Sequence, residues 1–459
     1  MKMQTSRRRF LTKLTQTAAG MVLFSRADPA WCRPHRRKLN IAVAGVGRRG
    51  TDLLRYIRDI GENVIAVCDA DRRRLDEAAQ QAPDARKFQD FRQMLREMDR
   101  QLDAVVVATP DHTHAVIAAR AMKRGKHVYV EKPLAHTVAE ARALRLIAKQ
   151  QKVATQMGNQ GMASNSFRRA LELIQDGALG EIREAHVWFD FGGSGPTERP
   201  MGQTPVPDYL DWDLWLGPAP FRPFHPGYLN WWRWRDFSTG IVGGGGSHSI
   251  NLAFKALNLA ALWEDDTQKR IIRVETKISE RCPHTFPRWQ IAHFDIPPRN
   301  STPPAQIHWY NGTDQELKRQ GIWELLERIA GRSLVWKDGS WAERSGSLIV
   351  GSKGVAHTNA HNSVCVLLPA KDFTNAAAPP QRLPRVRSHF EEWLDACRGG
   401  QTPFSNFDHS GPAMELLLLA NVASLVDESL EFDPVTCKIL NNGEADRALH
   451  PPRRAGWEL

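Results

Sequence analysis

From Leu39 onward, short runs of β-branched and small apolar residues alternate with segments of helical periodicity. The pattern predicts strands at 39–45, 63–68, 103–108 and 127–130, and helices near 50–60, 71–81, 91–98, 114–124 and 138–151. The run Asp103-Ala-Val-Val-Val-Ala-Thr109 lacks polar alternate positions, which suits a strand covered on both faces and therefore a parallel sheet. Thr137-Val-Ala-Glu140 reads as a capping box that sets the start of the last of these helices. One doubly wound α/β domain is expected, ending near residue 155.

The texture then changes. Residues 182–191 alternate in a strand-like way, 192–228 are rich in Gly, Pro and aromatic residues, and 271–280, 288–296, 305–310 and 346–351 read as strands without long helices between them. Such a run implies a large, mostly antiparallel open sheet in a second, α+β domain. A helix is expected near 248–258, with His248 at its start. Two more are expected at 385–398 and 411–427, the latter capped by Ser410 with Pro412 in its first turn. Asn375 to Pro384 reads as a loop. The expected organisation is a leader and linker at 1–38, a nucleotide-binding domain at 39–157 and a substrate and oligomerisation domain at 158–459. An open sheet needs its free face covered, so a homodimer or homotetramer is expected.

Charge changes this picture at one end only. Of the net +11 carried by 459 residues, +9 falls in the first 40, where ten Lys/Arg face the single acid Asp28. The remainder is nearly neutral, which removes the electrostatic case for a nucleic-acid partner. Ser6-Arg-Arg-Arg-Phe-Leu-Thr12, the weakly apolar stretch Ala18 to Phe24 and the small-x-small site Ser25-Arg26-Ala27 resemble a twin-arginine signal peptide. That resemblance implies export to the periplasm in folded form, with the twin-arginine translocase as a transient partner. The apolar stretch is too short for a stable membrane span. The competing reading is a basic tail on a cytoplasmic enzyme. Six scattered cysteines without a C-x-x-C argue against a zinc ribbon and a disulfide framework, and Cys68 reads as a small apolar filler in a buried strand.

Gly45-Val-Gly47-Arg-Arg-Gly50 follows the first strand and opens a helix. Gly45 permits the tight turn, Gly47 lets the backbone approach a pyrophosphate, and Gly50 allows close packing of helix on strand. Asp69, nineteen residues after Gly50, ends the second strand. A carboxylate there accepts from ribose hydroxyls and repels a 2′-phosphate, which favours NAD over NADP. Arg72 and Arg73 soften that preference, so NADP stays open.

Val130-Glu131-Lys132-Pro133 closes a strand at the edge where an open α/β sheet binds its ligand. With Ala108-Thr109-Pro110-Asp-His112-Thr-His114, this tripeptide after a Rossmann core resembles the Gfo/Idh/MocA oxidoreductases. Gly158-Asn-Gln-Gly161, Trp215 to Pro220, Ser388 to Gly400 and Gly456-Trp-Glu-Leu459 are similar to the exported bacterial branch. The resemblance implies NAD contacted by Gly45, Gly47, Arg48, Arg49, Gly50, Asp69, Thr109, Pro110, His114, Glu131 and Asn159, and export in folded form implies that this NAD is tightly bound. It further implies a carbohydrate-like substrate and catalysis by Lys132 and His248. A neutral imidazole at 248 takes the hydroxyl proton while Lys132 holds the oxygen.

The family segment supplies an aspartate four residues before this histidine and another three after it; here Gly244 and Asn251 stand at those positions. Asp190 and Asp236 are candidates to supply the missing carboxylate. His112 and His114, two apart with no further clustered ligand, make a poor metal site, so no metal is expected. Among the tryptophans of residues 212–234, packing is the favoured role for most, while Trp231, His225 and Arg235 are candidate sugar contacts. Three functions follow. The first is an NAD(P)-dependent oxidoreductase acting on a hydroxyl of a sugar, polyol or glycoside. The second is a glycosidase, lyase or epimerase that oxidises its sugar transiently, and the third is a non-catalytic sugar- or nucleotide-binding protein.

Overall fold

The computed structural model describes residues 37–264, 270–334, 345–373 and 380–459. The signal-like segment, its cleavage site and much of the loop 375–384 lie outside the described residues. The first domain lays down β1 (Asn40–Ala44), α1 (Arg49–Asp59), β2 (Asn63–Cys68), α2 (Arg72–Gln81), β3 (Arg86–Phe88) and α3 (Phe91–Glu97). It continues with β4 (Ala104–Val107), α4 (Asp111–Met122), β5 (His127–Val130), α5 (Val138–Gln151) and β6 (Thr155–Met157). All six strands are parallel in the order β3-β2-β1-β4-β5-β6. The sequence pattern missed β3 and β6 because three-residue edge strands carry too few positions for a period to show. The Thr137/Glu140 capping box is present at the start of α5.

The second sheet holds nine strands: β7 (Ile182–Asp190), β8 (Ile272–Ile278), β9 (Gln290–Ile296), β10 (Ala305–Gly312), β11 (Gly346–Gly351), β12 (Gly354–Asn359), β13 (Cys365–Leu368), β14 (Leu430–Asp433) and β15 (Lys438–Ile439). Their order is β13-β12-β11-β7-β10-β9-β8-β14-β15, and every pair is antiparallel except β7 with β10. One face packs Ala185, Val187, Phe294, Ile307 and Trp309 into a core continuous with that of the first domain. On the other face, Trp188, Ile291 and Tyr310 are covered by the helices Asp314–Arg319 and Ile322–Ala330, which the sequence reading left out.

Three expected helix starts shift. The helix expected near 248–258 is two helices, Gly240–Ser249 and Asn251–Ala256, so His248 lies in the last turn of the first instead of opening one. A run of four glycines reads as loop by propensity, yet tertiary packing demands it. A Cβ at Gly243 would stand 2.2 Å from Thr239 Oγ1, at Gly245 2.8 Å from the Phe189 ring, and at Gly246 2.9 Å from Leu417. The last long helix runs Phe407–Ala423 and is capped by Asn406, whose side chain accepts from the Asp408 and His409 amides. Pro412 therefore lies inside the helix, and Ser410 donates to the Ser405 carbonyl instead of capping. The helix His389–Cys397 returns to the first domain, where Phe390, Trp393 and Leu394 pack beside Ile41, Val43 and Tyr129.

Candidate active site

The carboxyl ends of β1, β2, β4 and β5 open into a cavity of about 710 Å³ lined by Gly45, Gly47, Arg48, Arg49, Asp69, Thr109, Pro110, His114, Glu131 and Lys132. Its size falls in the range of small-molecule sites, roughly 300–1,000 Å³. Gly45 has φ +82°, and a Cβ there would sit 2.6 Å from the Ala108 and Thr109 backbone. A Cβ on Gly50 would be 1.8 Å from the Gly45 carbonyl oxygen. At Gly47 only the flexible Arg74 side chain comes near, at 3.6 Å, so the middle glycine faces the cavity. This cradle fits a pyrophosphate against the start of α1.

Asp69 ties the turn together. Its carboxylate accepts from the Val46 and Asp71 amides, each at 3.0 Å, while burial pushes its pKa up against those hydrogen bonds. Arg72 donates to the Asp208 carbonyl, and Arg73 stacks 3.4 Å over Tyr209 while pairing with Asp71 at 2.8 Å. Both are thus engaged; Arg73 and Arg74 line the cavity, Arg74 lying beside Gly47 while it pairs with Glu77 at 2.8 Å.

Glu131 is buried and gathers the site from behind. Arg49 Nε donates to its Oε1 at 2.9 Å, and the Lys132 amide donates to its Oε2 at 3.2 Å. His114 is wedged between the two strand-end motifs, its ring nitrogens 2.7 Å from the carbonyl oxygens of Pro133 and Thr109. His112 is fully buried against the Trp215 carbonyl at 3.1 Å, and burial holds its pKa down at about 3.

Lys132 is half-buried on the cavity wall. His248 is buried, and its Nδ1 has no hydrogen-bond partner among the described residues. Burial first, and then the Lys132 ammonium, hold its pKa well below the usual histidine range. The ring is therefore a neutral base at pH 7. His361, from the turn after β12, packs against it with ring centroids 4.5 Å apart. Among the described residues, nothing lies within 4 Å of a Cβ built on Gly244, one turn before His248. The position that carries an acid in the family segment is open space here.

Several expected residues are spent elsewhere. Asn159 is buried and donates to Asn251 at 2.9 Å while accepting from Ser405. Asn251 also accepts from His409 and donates to the Ser247 and His248 carbonyls, so it holds the end of the His248 helix. His225 caps a short 3₁₀ turn by accepting from the Gly227 amide. Arg235 donates to the Cys282 and Thr285 carbonyls and to Ser424, with burial lowering its pKa to about 10. Neither lines the cavity, so the structure does not bring them to the site. Asp236 pairs with Arg222 and Arg199 at 2.7 and 3.0 Å, so it is not a replacement acid. Asp190 ends β7, its amide donating to Ser345.

The aromatic segment 192–237 forms a strap with its own core of Leu210, Trp212, Phe224, Tyr228, Trp234 and Phe237. It crosses to the first domain through an Asp71–Leu210 bridge and the bonds Arg72 N to Tyr209 O and Asp211 N to Ala70 O. Trp215, Trp231 and Trp232 line the cavity, whereas Trp212 and Trp234 are packed inside the strap. Sequence reasoning missed Asp111, a buried carboxylate at the cavity that accepts from the Thr239 amide and hydroxyl at 2.9 Å and so anchors the His248 helix. It lay inside the motif quoted for its histidines, but nothing local marks its partner 128 residues away.

Residues 39–159 match the Gfo/Idh/MocA model described as an oxidoreductase family, NAD-binding Rossmann fold, and residues 182–289 match that family's C-terminal alpha/beta domain. The chain is 34% identical over 153 residues to inositol 2-dehydrogenase 2 of Saccharopolyspora erythraea, covering 32% of this chain and 44% of the relative. It is 32% identical over 155 residues to a glycosyl hydrolase family 109 protein of the same organism, covering 31% and 33%. The chain thus spans less than half the length of these curated relatives. Among solved structures, aldose-aldose oxidoreductase from Caulobacter crescentus superposes with TM-score 0.56 at 18% identity, covering 86% of this chain and all of that one. The WlbA dehydrogenase from Bordetella pertussis, in complex with NADH and UDP-GlcNAcA, gives 0.55 at 15% identity, covering 84% and 97%. These two likenesses speak for the fold.

Proposed function

From a chain that belongs to the Gfo/Idh/MocA oxidoreductase family, we propose an NAD-dependent oxidoreductase that acts on a secondary hydroxyl of a cyclic polyol, sugar or glycoside. The observation that carries this reading is the placement of Lys132 on the wall of the cavity cradled by Gly45–Gly50, with the neutral His248 within electrostatic reach. NAD bound there supplies a hydride acceptor. Lys132 donates a hydrogen bond to the substrate oxygen and stabilises its developing negative charge. His248 takes the hydroxyl proton as the neutral base. Glu131 and Arg49 hold the lysine-bearing turn against the glycine turn, and Trp231 and Trp232 offer flat faces to a sugar ring.

A second reading is favoured by the strap, whose Tyr209 and Leu210 close over the Asp69 end of the cavity. A cofactor so enclosed is retained between turnovers. Retention suits a redox-neutral reaction in which one carbon is oxidised, the neighbouring acidified carbon gives up its proton, either a leaving group departs from the next carbon and water adds there or the proton returns on the opposite face, and the hydride is then given back. The twin-arginine-like amino terminus supports export, with the translocase as a transient partner, because a folded exported protein must carry its cofactor with it. The partly uncovered outer face of the nine-stranded sheet supports a homodimer or homotetramer.

The test uses the purified full-length protein. Nicotinamide dinucleotide is expected to co-purify, and cyclic polyols and glycosides are then supplied with and without added NAD. Accumulating NADH supports the dehydrogenase, and substrate turnover without net reduction supports the redox-neutral enzyme. Lys132→Met is expected to retain NAD and lose at least about 100-fold in kcat. Absence of affinity for any pyridine dinucleotide removes both readings.

A further inference from the structure

Three histidines meet on the face of the nine-stranded sheet opposite the helix that bears His248. β7, β10 and β9 are neighbours in register, with His186 opposite His308 and His308 opposite His293. Side chains alternate along each strand. Ala185, Val187, Ile307 and Trp309 therefore enter the inner core, and the histidines emerge on the outer face.

Glu184 precedes His186 by two residues and shares its face. Its Oε1 lies 2.8 Å from His186 Nε2 and 3.2 Å from His308 Nε2. Both nitrogens are buried, and neither makes a well-aligned hydrogen bond among the described residues. The side chain of His186 is only 2% exposed, so this misalignment is not relieved by solvent. Each ring is engaged at its other nitrogen: His186 Nδ1 lies 2.9 Å from the Tyr310 hydroxyl, and His308 Nδ1 lies 2.5 Å from His293 Nδ1. Partners at Nδ1 orient an imidazole and turn its Nε2 toward a ligand, which is the arrangement behind most metal-bound histidines. Across Glu184, His186 and His308, the three ligand atoms fall within 4.8 Å of one another.

We propose that Glu184, His186 and His308 bind one divalent transition-metal ion of the zinc class, with Tyr310 and His293 orienting the two imidazoles. Two imidazole nitrogens and one carboxylate form a borderline donor set that suits Zn²⁺, whereas Mg²⁺ and Ca²⁺ take oxygen ligands. Three protein ligands leave a fourth position for water on the solvent side, where the Glu184 side chain is 38% exposed. The ion bridges β7 and β10, the parallel pair of an otherwise antiparallel sheet. Its place on the face opposite the His248 helix makes it a staple of the sheet, separate from the hydride chemistry.

The experiment takes the full-length protein stripped with a chelator and titrates it with Zn²⁺ by calorimetry and with Co²⁺ by visible absorption. The wild type is expected to bind one Zn²⁺ per chain, to show the visible bands of low-coordinate Co²⁺, and to gain melting temperature with Zn²⁺. His308→Ala and Glu184→Gln are each expected to weaken binding at least about 100-fold and abolish those bands, and His293→Phe to weaken it by roughly 10–100-fold. NAD affinity, unchanged in all three, reports that the fold is intact. If His308→Ala does not fold, the more exposed Glu184→Gln decides alone. A wild type that binds no Zn²⁺ above background, or variants that bind with wild-type stoichiometry and affinity, overturns the site.

Discussion

Arg49, in the first turn after the glycine loop, donates from Nε to Oε1 of Glu131 at 2.9 Å across 82 residues of sequence. The cofactor turn and the lysine motif are thereby one unit. A double-mutant cycle of Arg49→Gln and Glu131→Gln is expected to give a coupling of about 1 kcal/mol, modest because the Arg49 side chain is 47% exposed. Urea titration of the four proteins measures it. Strictly additive losses mean the two motifs are held in place by other contacts.

Gly158 sits under the same carboxylate. A Cβ there would lie 2.7 Å from the carboxyl carbon and both oxygens of Glu131. Gly158→Ala is expected to destabilise by about 1–3 kcal/mol through overpacking and to weaken NAD binding as Glu131 shifts. Equal melting temperatures and NAD affinities for variant and wild type contradict this geometry.

The choice of dinucleotide turns on Asp69. Arg72 and Arg73 are engaged by Asp208, Tyr209 and Asp71, so they do little to offset its charge. NAD is expected to bind at least about tenfold tighter than NADP, and Asp69→Ser to narrow that ratio by removing the charge that repels a 2′-phosphate beside Arg74, whose guanidinium also pairs with Glu77 at 2.8 Å. Fluorescence titration with both reduced cofactors reads the ratio, and a variant with unchanged preference would take Asp69 out of the discrimination.

Gly244→Asp fills the open space one turn before His248. The added carboxylate is expected to raise the His248 pKa, opposing the burial and the Lys132 charge that lower it. Since the neutral ring is the base, the acid limb of the kcat/KM profile moves to higher pH in the variant. A limb that stays where the wild type has it places residue 244 outside the reach of His248.

Acid is expected to destabilise the fold through its buried histidines. Burial holds His112 at about 3 and His389 at about 4, and pushes His248 and His409 well below the ordinary value of 6.5. Each folded-state pKa is lower than the unfolded one, so the unfolded chain binds protons first as pH falls. The stabilisation is complete above pH 6.5 and is lost on descending toward the folded-state values, at about 1.4 kcal/mol per unit of pH per group. Melting temperatures measured from pH 7.5 to 5 should decline throughout the lower part of that range, and a flat profile is inconsistent with neutral burial of these rings.

The first domain was legible because its signals are local. A left-handed turn at Gly45, continuous apolar strands and the Thr137/Glu140 box each report on a few adjacent residues, and alternation of strands with helices implies a parallel sheet. The amino acids by themselves also placed Lys132 at a strand end facing the dinucleotide turn. What tertiary structure alone decided lies between distant residues. Packing of Gly245 and Gly246 against Phe189 and Leu417 makes a helix of a sequence with loop propensity. Asn251 drew Asn159 into a buried network, and Asp111 found Thr239. The row of His186, His308 and His293 exists only because strand register aligns positions up to 122 residues apart, and register is set by which faces are buried, a property no local window contains.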